Sequence, residues 1–466
     1  MQEKDMRIVV PGRKDYLKFF VPVCKQDVML TFSRFILRRE TNDGTLLCNT
    51  LTGELVLLSD EEKELFDKLP LPYGPALKTL ESLIHHRFIV SLNCEETQSV
   101  DQLRALFQKK KETGTIIRRY SILPTTCCNA RCFYCFESDF RHITMSEETA
   151  ERLVQYIAEH HGGYPIKLSW FGGEPTLGKN RIDHICRRLK ELEIDYHSDM
   201  VSNGYLFDED LVRHARTLWD LKNIQITLDG TEKVYNQTKA YVRVSDNPYQ
   251  RVLRNIGLFL KNGISVDVRL NMDKHNAEDL DNLIDELSIR FRNSKNLTVY
   301  VRKLNADVGF SPIRHGENDK DYLNSTLIRL QAKLEECGWM QHRMTSLPKL
   351  KIYSCMADDP STIQCSPDGI LSKCEDHIYQ HTVGTLEDGI TDINEMRWWR
   401  QRTSYEGCKD CPLYPSCDRL LMNCPGKREK CLPEEKNRRI NRYHEIMFSK
   451  YEQWKKDKDI AAPRNR

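Results

Sequence analysis

The chain has 466 residues, 30% of them charged, and a formal net charge of +2 at pH 7. That length exceeds one ordinary hydrophobic core, so we expect two or three domains. The nearly balanced charge gives no strong field for nucleic acid or a membrane surface. No apolar run reaches the roughly 18–20 residues of a membrane span, and no signal-peptide hydrophobic region is present. We therefore predict a cytoplasmic protein with a small-molecule or peptide partner, and with neither nucleic acid nor membrane as a partner.

The cysteines are unevenly distributed along the sequence. Four of the 17 lie within residues 127–135 and eight within residues 355–431. Because the cytosol keeps thiols reduced, disulfides explain such clusters poorly. Two metal-binding regions, separated by a long cysteine-poor body, are the better prediction.

The N-terminal part changes from strands to helices. Residues 27–59 have strand character with turns at 42–44 and 52–53, and residues 60–69 and 75–87 fit helices before a short strand at 88–92. We predict a small α+β domain over residues 1–100, with a winged-helix-like arrangement. A charged helical linker over residues 101–119 follows it.

Residues 120–304 alternate between strands and helices. The predicted strands are 120–124, 166–171, 199–203, 224–229, 266–272 and 297–304, and the predicted helices include 146–161, 179–193, 208–218 and 249–263. This alternation predicts an α/β fold with a parallel sheet, closed partway into a TIM-like (β/α)6 barrel. Side chains at the C-terminal ends of the strands are then the candidates for chemistry. The predicted remainder is a bridging segment over 305–350, a loop-rich cysteine region over 351–435 and a C-terminal helix over 436–466.

Three cysteines, Cys128, Cys132 and Cys135, directly follow the first barrel strand. At this spacing, three thiolates can bind three irons of a four-iron cluster and leave the fourth iron without a protein ligand. A zinc site that includes Cys127 is the alternative. The loop resembles the CxxxCxxC signature of the radical S-adenosylmethionine superfamily, with Tyr134 as the aromatic residue before the last cysteine.

The second strand is followed by a glycine pair and an acidic residue, which together resemble the GGEP motif of that superfamily. The motif consists of Gly172, Gly173, Glu174 and Pro175. Two glycines let a backbone approach a ligand closely, and carbonyls with a carboxylate suit a cationic ammonium group. The resemblance implies that this element holds the methionyl amine of the cofactor. An ordinary glycine turn is the alternative.

Later strand ends carry further residues that the resemblance assigns to cofactor binding. They are Ser202, Asn203, Thr227, Lys239, Arg269 and Asn271. Lys239 stands where relatives often carry an arginine, and each of these residues has the alternative role of satisfying backbone groups at a strand end. Asp229 is the candidate catalytic acid or base, because it follows a strand that faces the expected cavity.

The C-terminal cysteines resemble the SPASM extension of radical enzymes that modify peptides and proteins. The resemblance implies one auxiliary cluster on Cys408, Cys411, Cys417 and Cys431, and another on Cys355, Cys365, Cys374 and Cys424. Cys424 follows Cys417 after six residues instead of the usual three, so the assignment of Cys365, Cys424 and Cys431 to a cluster is undecided. It is also undecided whether one auxiliary cluster has an iron without a protein ligand. With the loop cluster, three 4Fe-4S clusters are expected, and zinc is the alternative for the Cys-x2-Cys loop.

The resemblance implies the activity. One electron, from a donor such as flavodoxin or ferredoxin, splits S-adenosylmethionine into methionine and a 5′-deoxyadenosyl radical, which removes a hydrogen atom from the substrate. The N-terminal domain resembles PqqD-like elements, which add a leader peptide to a sheet edge; a structural cap on the barrel is the alternative. We therefore predict a maturase that installs a thioether, a carbon–carbon cross-link or another side-chain modification in a ribosomally made precursor peptide. The alternatives are an enzyme resembling anaerobic sulfatase maturases, a non-catalytic iron-sulfur electron-transfer protein and a zinc-binding interaction protein.

Overall fold

The computed structural model describes residues 7–15, 17, 28–112, 116–292, 294–304, 317–339, 346–401, 407–417, 420, 431 and 433–461. The strands are β1 (Arg7–Val10), β2 (Met29–Phe32), β3 (Ile36–Thr41), β4 (Gly44–Asn49), β5 (Glu54–Leu58), β6 (Leu71–Pro72), β7 (Ile89–Ser91), β8 (Arg119–Ile122), β9 (Ile166–Trp170), β10 (Tyr196–Ser202), β11 (Leu221–Leu228), β12 (Ser265–Met272), β13 (Leu297–Lys303), β14 (Thr362–Cys365), β15 (Ile370–Ser372), β16 (Thr382–Thr385) and β17 (Gly389–Ile390). The α-helices are α1 (Asp60–Asp67), α2 (Glu81–His85), α3 (Glu96–Glu112), α4 (Glu147–His160), α5 (Lys179–Glu191), α6 (Glu209–Thr217), α7 (Glu232–Lys239), α8 (Pro248–Lys261), α9 (Asp279–Phe291), α10 (Glu317–Glu336), α11 (Ile393–Trp398) and α12 (Pro433–Ala461).

The central sheet contains six consecutive parallel strands in the order β13-β12-β11-β10-β9-β8. All six strands predicted from the sequence are present within a few residues. The large parallel α/β sheet is therefore confirmed, and it is consistent with a partial barrel. Helices α7 and α9 also connect strands of this sheet, although the sequence patterns did not single them out.

Local signals explain where the barrel helices begin. Ser146 accepts a hydrogen bond from the backbone N–H of Thr149 at the start of α4, and Asp208 does the same for α6 through the N–H of Leu211. Such caps satisfy N–H groups that the first helical turn leaves without partners. The apolar faces of these helices then pack on the sheet and form one continuous hydrophobic core.

The C-terminal region extends this sheet. Strand β14 adds parallel to β8, with Cys365 in register with Ile122, and β15, β16 and β17 continue the sheet in antiparallel pairing. The cysteine-rich region is thus partly built onto the edge of the barrel sheet.

The N-terminal region contains an antiparallel sheet of order β1-β5-β4-β3 and a small sheet of order β6-β2-β7. Helix α1 begins with a capping box between Ser59 and Glu62. Met447 and Tyr451 of α12 pack into a core with residues of β1, β3, β4 and β5. The C-terminal helix and the N-terminal sheet therefore share a hydrophobic core, although they are far apart in sequence. In the part of the chain that the structure describes, no helix is long and apolar enough to cross a membrane.

Candidate active site

The loop that carries Cys128, Cys132 and Cys135 lies at the C-terminal end of β8 and is fastened by backbone hydrogen bonds. The N–H of Glu174 donates to the carbonyl of Cys127 at 2.8 Å, and the N–H of Arg131 donates to the carbonyl of Lys239 at 2.8 Å. The ends of β9 and α7 therefore fix the two sides of the loop.

The loop cysteines belong to one compact turn, in which the N–H of Cys135 donates to the carbonyl of Cys132 at 3.1 Å. Burial raises the pKa of Cys128 to about 12, with smaller contributions from the carboxylate of Glu174 and from the other two thiols. Burial likewise raises the pKa of Cys135 to about 11. Without a metal these thiols keep their protons, whereas ligation to iron requires thiolates. The protein thus gathers three thiols in a partly buried loop where bound iron would supply the missing positive charge.

The glycine pair serves the cysteine loop directly. An added Cβ at Gly172, whose φ is +114°, would lie 2.3 Å from the carbonyl oxygen of Thr125, and one at Gly173 would lie 2.3 Å from that of Cys127. No larger residue fits without moving the loop. Besides the predicted close approach of a ligand, the two glycines allow the close approach of the cysteine loop.

The carboxylate of Glu174 is completely buried and has several donors. It accepts hydrogen bonds from the hydroxyl of Thr176 at 2.6 Å, the hydroxyl of Ser202 at 2.8 Å and the backbone N–H of Asn203 at 2.9 Å. Asn203 in turn donates from Nδ2 to the side-chain oxygen of Asn129 in the cysteine loop at 2.7 Å. These contacts tie β9 to β10, and the role of the glycine–glutamate element in holding the methionyl amine stays a prediction. The side chain of Pro175 is buried beside it.

Below the loop lies a buried polar network around Tyr134. Its hydroxyl donates to both carboxylate oxygens of Asp229 at 2.9 Å, and it accepts from Nζ of Lys239 at 2.9 Å and from Nδ2 of Asn271 at 3.1 Å. Lys239 also forms an ion pair with Asp229 at 3.0 Å and donates to the hydroxyl of Thr227. The ends of β11, α7 and β12 therefore converge on one residue of the cysteine loop.

The network gives two of the predicted site residues, Lys239 and Asp229, partners within the protein. The side chains of Lys239 and Asp229 are only 2% and 1% exposed, and all three N–H groups of the ammonium have partners within the network. Burial by itself lowers the pKa of Lys239, but Asp229 and Tyr134 raise it well above its usual value. Lys239 therefore has no free N–H for a cofactor carboxylate or ribose. Asp229 is held as the partner of a permanent cation, which suits anchoring of the loop better than acid–base catalysis.

Arg269 and Asn271 connect this network to the concave face of the sheet. Nε of Arg269 donates to the side-chain oxygen of Asn271 at 2.8 Å. Burial raises the pKa of Asp376, and the positive charge of Arg269 partly offsets that increase. Arg269 is half-exposed, so it keeps access to the lumen of the barrel. Of the predicted cofactor contacts at later strand ends, Arg269 is the cationic side chain best placed to meet a ligand.

A second thiol site lies in the C-terminal region. Cys408, Cys411, Cys417 and Cys431 line a single cavity together with Lys436 and Arg439. Arg439 donates to Sγ of Cys417 at 3.7 Å, and burial, with smaller contributions from the neighbouring thiols, raises the pKa of Cys411. Two cationic side chains beside four thiols fit an anionic thiolate cluster. This is the set that the resemblance assigned to one auxiliary cluster.

The other predicted set is divided in the structure. Cys355 is exposed, and Lys373, which precedes Cys374, donates from Nζ to the carbonyl of Asp359 at 2.8 Å. Cys365 is instead fully buried in the barrel core, where burial raises its pKa and its thiol donates to the carbonyl of Ser366 at 3.4 Å. An apolar core position disfavours a thiolate ligand, so the structure speaks against Cys365 as one. Cys424 lies outside the described residues.

Within the described ranges, no three cysteine, histidine or carboxylate side chains converge as ligands of one metal ion do. The residues present do fit clusters at two places. One is the loop of Cys128, Cys132 and Cys135, which leaves one iron position to a non-protein ligand. The other is the four-thiol cavity.

Sequence reasoning did not identify the carboxyl groups that face the lumen. Glu137 is buried and Glu375 is partly exposed, and desolvation, together with neighbouring carboxylates, raises their pKa values to about 8 and about 7. A signal existed in the strands, where polar residues such as Ser121, Gln225 and Arg269 alternate with buried apolar ones. That alternation indicates a polar inner face, but it does not say which loop residues reach it.

Comparison with known proteins supports the identification of the fold and the loop. Residues 122–287 match the family model of the Radical SAM superfamily. This match covers the cysteine loop and the strand ends described above. Residues 122–287 are therefore a region of the radical SAM type, and the comparison supports an enzyme.

Among curated proteins, the chain is similar to GTP 3′,8-cyclase of Clostridium perfringens, with 23% identity over 317 residues, covering 64% of this chain and 92% of that protein. It is also 23% identical over 188 residues to the radical SAM cyclopropyl synthase TigE of Paramaledivibacter caminithermalis, covering 34% of this chain and 39% of that protein. Two solved structures share the fold. One is native anSMEcpe with bound AdoMet and Cp18Cys peptide, which has a TM-score of 0.54 and 16% identity, covering 72% of this chain and 98% of that chain. The other is Streptococcus suis SuiB bound to S-adenosylmethionine, which has a TM-score of 0.51 and 17% identity, covering 86% of this chain and 99% of that chain.

Proposed function

We propose that this enzyme uses S-adenosylmethionine to modify a side chain of a peptide, introducing a cross-link such as a thioether or a carbon–carbon bond. The observation that carries the proposal is the four-thiol cavity of Cys408, Cys411, Cys417 and Cys431, a second cluster site beside a radical SAM domain. Similarity of fold to anSMEcpe and SuiB, solved with S-adenosylmethionine and, for anSMEcpe, a peptide, supports the same assignment.

Cys128, Cys132 and Cys135 would hold a four-iron cluster, which together with S-adenosylmethionine would supply the radical chemistry for hydrogen-atom removal from the substrate. The residues of the chain have distinct tasks around that chemistry. The glycine pair and Glu174 hold the loop against β9 and β10, and the network of Tyr134, Asp229 and Lys239 holds it from below. The loop therefore has one rigid position relative to the lumen, which keeps the reacting groups in register.

We further propose that the C-terminal region holds auxiliary clusters and that the N-terminal α+β domain binds a leader peptide. The cations Lys436 and Arg439 at the four-thiol cavity support the first assignment. The order of β3, β4 and β5 followed by α1 and α2 supports the second. Strand β1 pairs with β5 in the chain itself, so a leader strand would have to add at another edge or displace β1.

Cofactor cleavage is the first test. Reconstituted protein is incubated anaerobically with dithionite and S-adenosylmethionine, and 5′-deoxyadenosine is measured by chromatography. The C128A/C132A/C135A variant should form none and should keep the iron of the C-terminal region. If the wild-type protein forms no 5′-deoxyadenosine, it is a non-catalytic electron-transfer protein. Colour, together with iron and sulfide analysis, distinguishes both of these iron-sulfur proteins from a zinc protein.

The substrate class is tested with candidate precursor peptides encoded beside the gene, followed by mass spectrometry. A mass change that depends on the leader segment supports the maturase. Equal turnover without the leader would favour an enzyme resembling sulfatase maturases. GTP is included as a separate substrate, because its conversion would replace the peptide assignment with the activity named for the cyclase relatives.

A further inference from the structure

A cavity of about 380 Å³ lies between the segment that follows Cys135 and the C-terminal region. Phe136, Phe140 and Ile143 form an apolar wall on the side of the cysteine loop, and Tyr379 belongs to the wall on the C-terminal side. The volume lies in the range of roughly 300–1,000 Å³ that is typical of pockets for small ligands. The cavity therefore has room for one large side chain.

Hydrogen bonds fix both walls of this cavity to β8. The hydroxyl of Thr126 donates to the carbonyl of Arg141 at 2.6 Å, and the N–H of Ile143 donates to the hydroxyl oxygen of Thr126 at 2.9 Å. The C-terminal wall follows β14 and β15, and β14 pairs with β8, where the N–H of Leu123 donates to the carbonyl of Cys365 at 3.0 Å. Because the cysteine loop also begins at the end of β8, the cavity has a constant position beside that loop.

Aromatic rings in contact with one another form much of the two walls. The rings of Phe136 and Phe140 meet edge to face, with centroids 6.3 Å apart and planes at 84°, and those of Phe140 and Tyr379 do the same at 5.4 Å and 86°. Phe136 also stacks on Phe171, the residue before the glycine pair, with centroids 6.2 Å apart. A series of rings therefore connects the glycine pair, through the segment after Cys135, to the C-terminal region.

The apolar side chains of the cavity keep surface that a ligand can cover. Phe136, Phe140, Ile143 and Tyr379 are only partly buried. Concave apolar surface of this kind is typical of a binding site, because removing it from water is favourable. A substrate that reacts at the cysteine loop lies next to this cavity, whose wall begins at the residue after Cys135. Its position therefore indicates a side chain of the substrate as the occupant.

The charged groups at the cavity favour an aromatic occupant. Arg141, Asp139 and Asp368 line it and are exposed. An aromatic ring has a negative face and a positive edge, so a guanidinium is attracted to its face and carboxylates are attracted to its edge. A further ring can also meet the wall rings edge to face. An aliphatic side chain has no such charge distribution, and a charged side chain would meet a group of its own sign.

We propose that this cavity binds an aromatic side chain of the substrate peptide, that of phenylalanine, tyrosine or tryptophan, near the residue that is modified. This deepens the proposed function, because it rests on a peptide substrate and names a side chain that the enzyme selects. Phe140 and Tyr379 are then specificity-determining residues, since their rings contact each other across the two walls.

The test measures binding without turnover. Holoenzyme with S-adenosylmethionine and no reductant is titrated anaerobically into fluorescein-labelled decapeptides of glycine and serine that carry one central phenylalanine, cyclohexylalanine or alanine. Fluorescence anisotropy gives each dissociation constant. Cyclohexylalanine is similar in size to phenylalanine and lacks the charge distribution of the aromatic ring, so the ratio between these two peptides isolates aromatic recognition.

Wild-type protein should bind the phenylalanine peptide at least about tenfold more tightly than the alanine peptide and about two- to tenfold more tightly than the cyclohexylalanine peptide. Y379A removes one ring and should lower the second ratio to about one. I143W fills the cavity and should lower the first ratio to below about twofold. The matched control is Y164A, which removes an exposed tyrosine just before β9, at the end of the strand away from the cysteine loop, and should leave both ratios unchanged. Iron content and circular dichroism confirm that each variant is loaded and folded.

A second measurement needs no variant. A decapeptide with a central p-benzoylphenylalanine is irradiated together with wild-type holoenzyme, and mass spectrometry locates the cross-link. The cross-link should lie within residues 136–143 or 368–380 and should disappear when the phenylalanine peptide is added in excess. Cross-links confined to other segments would overturn the proposal.

Equal binding of the phenylalanine and alanine peptides by wild type would also overturn it. Equal or tighter binding of the cyclohexylalanine peptide would do the same, since size and hydrophobicity would then explain the selection. Unchanged ratios in either Y379A or I143W would mean that the peptides bind elsewhere. If the ratios hold but no peptide is ever modified, the binding site stands and the proposed function fails. If peptides are modified while both ratios are one, only the binding site fails.

Discussion

The buried pair of Lys239 and Asp229 gives the sharpest prediction. K239M removes the cation and keeps a stem of similar length, so that, among the described residues, the hydroxyl of Tyr134 is the side-chain donor left to Asp229. Leaving one charge of a buried pair without its partner costs about 3–5 kcal/mol. For a domain of this size, 1 kcal/mol corresponds to a shift in Tm of roughly 2–4 °C, so we expect a decrease of about 6–20 °C.

The assay is a thermal scan of matched anaerobic preparations at one scan rate, with iron analysis in parallel. The double variant K239M/D229L removes both charges, and we expect its Tm to lie above that of K239M alone, because no uncompensated charge remains. A surface pair, Lys68 and Glu64, serves as the control, and K68M should change Tm by less than about 2 °C. A K239M protein with wild-type Tm, or a double variant less stable than K239M, would refute the reasoning.

Three further predictions concern the loop, the second cysteine set and the domain contact. G173A should lose the loop cluster, about four iron atoms per chain, because the added Cβ would lie 2.3 Å from the carbonyl oxygen of Cys127. In the control variant G257A the nearest atom to the added Cβ is 4.0 Å away, so the same iron analysis should show no loss. C365A should retain wild-type iron, since its thiol lies in the barrel core, while C374A should lose iron; loss in both would return Cys365 to the ligand set. M447A should lower the free energy of unfolding by about 2–5 kcal/mol, because it leaves a cavity beneath the N-terminal sheet. The same variant should speed proteolysis of the first hundred residues, whereas S449A, on the exposed side of α12, should change neither quantity.

The strands and helices of the barrel could be predicted from the sequence because their information is local. Alternation of buried and polar residues in β9 and β11, and caps such as Ser146, act over a few positions. The cysteine loop and the glycine pair were equally visible, since spacing within one segment determines which ligands can meet. These features fixed the α/β class and the position of the candidate site.

The roles of individual side chains were decided by tertiary packing. Glu174 and Lys239 have the residue types expected of cofactor ligands, yet burial gives them partners within the protein, because a buried charge must be neutralised by neighbours that no local pattern reveals. Cys365 lies in the core because β14 adds beside β8, and Glu375 accepts a hydrogen bond from Ser121 because the C-terminal region folds onto the barrel edge. Local periodicity determines which elements form, whereas contacts between segments hundreds of residues apart determine which groups are buried and which are left for a ligand.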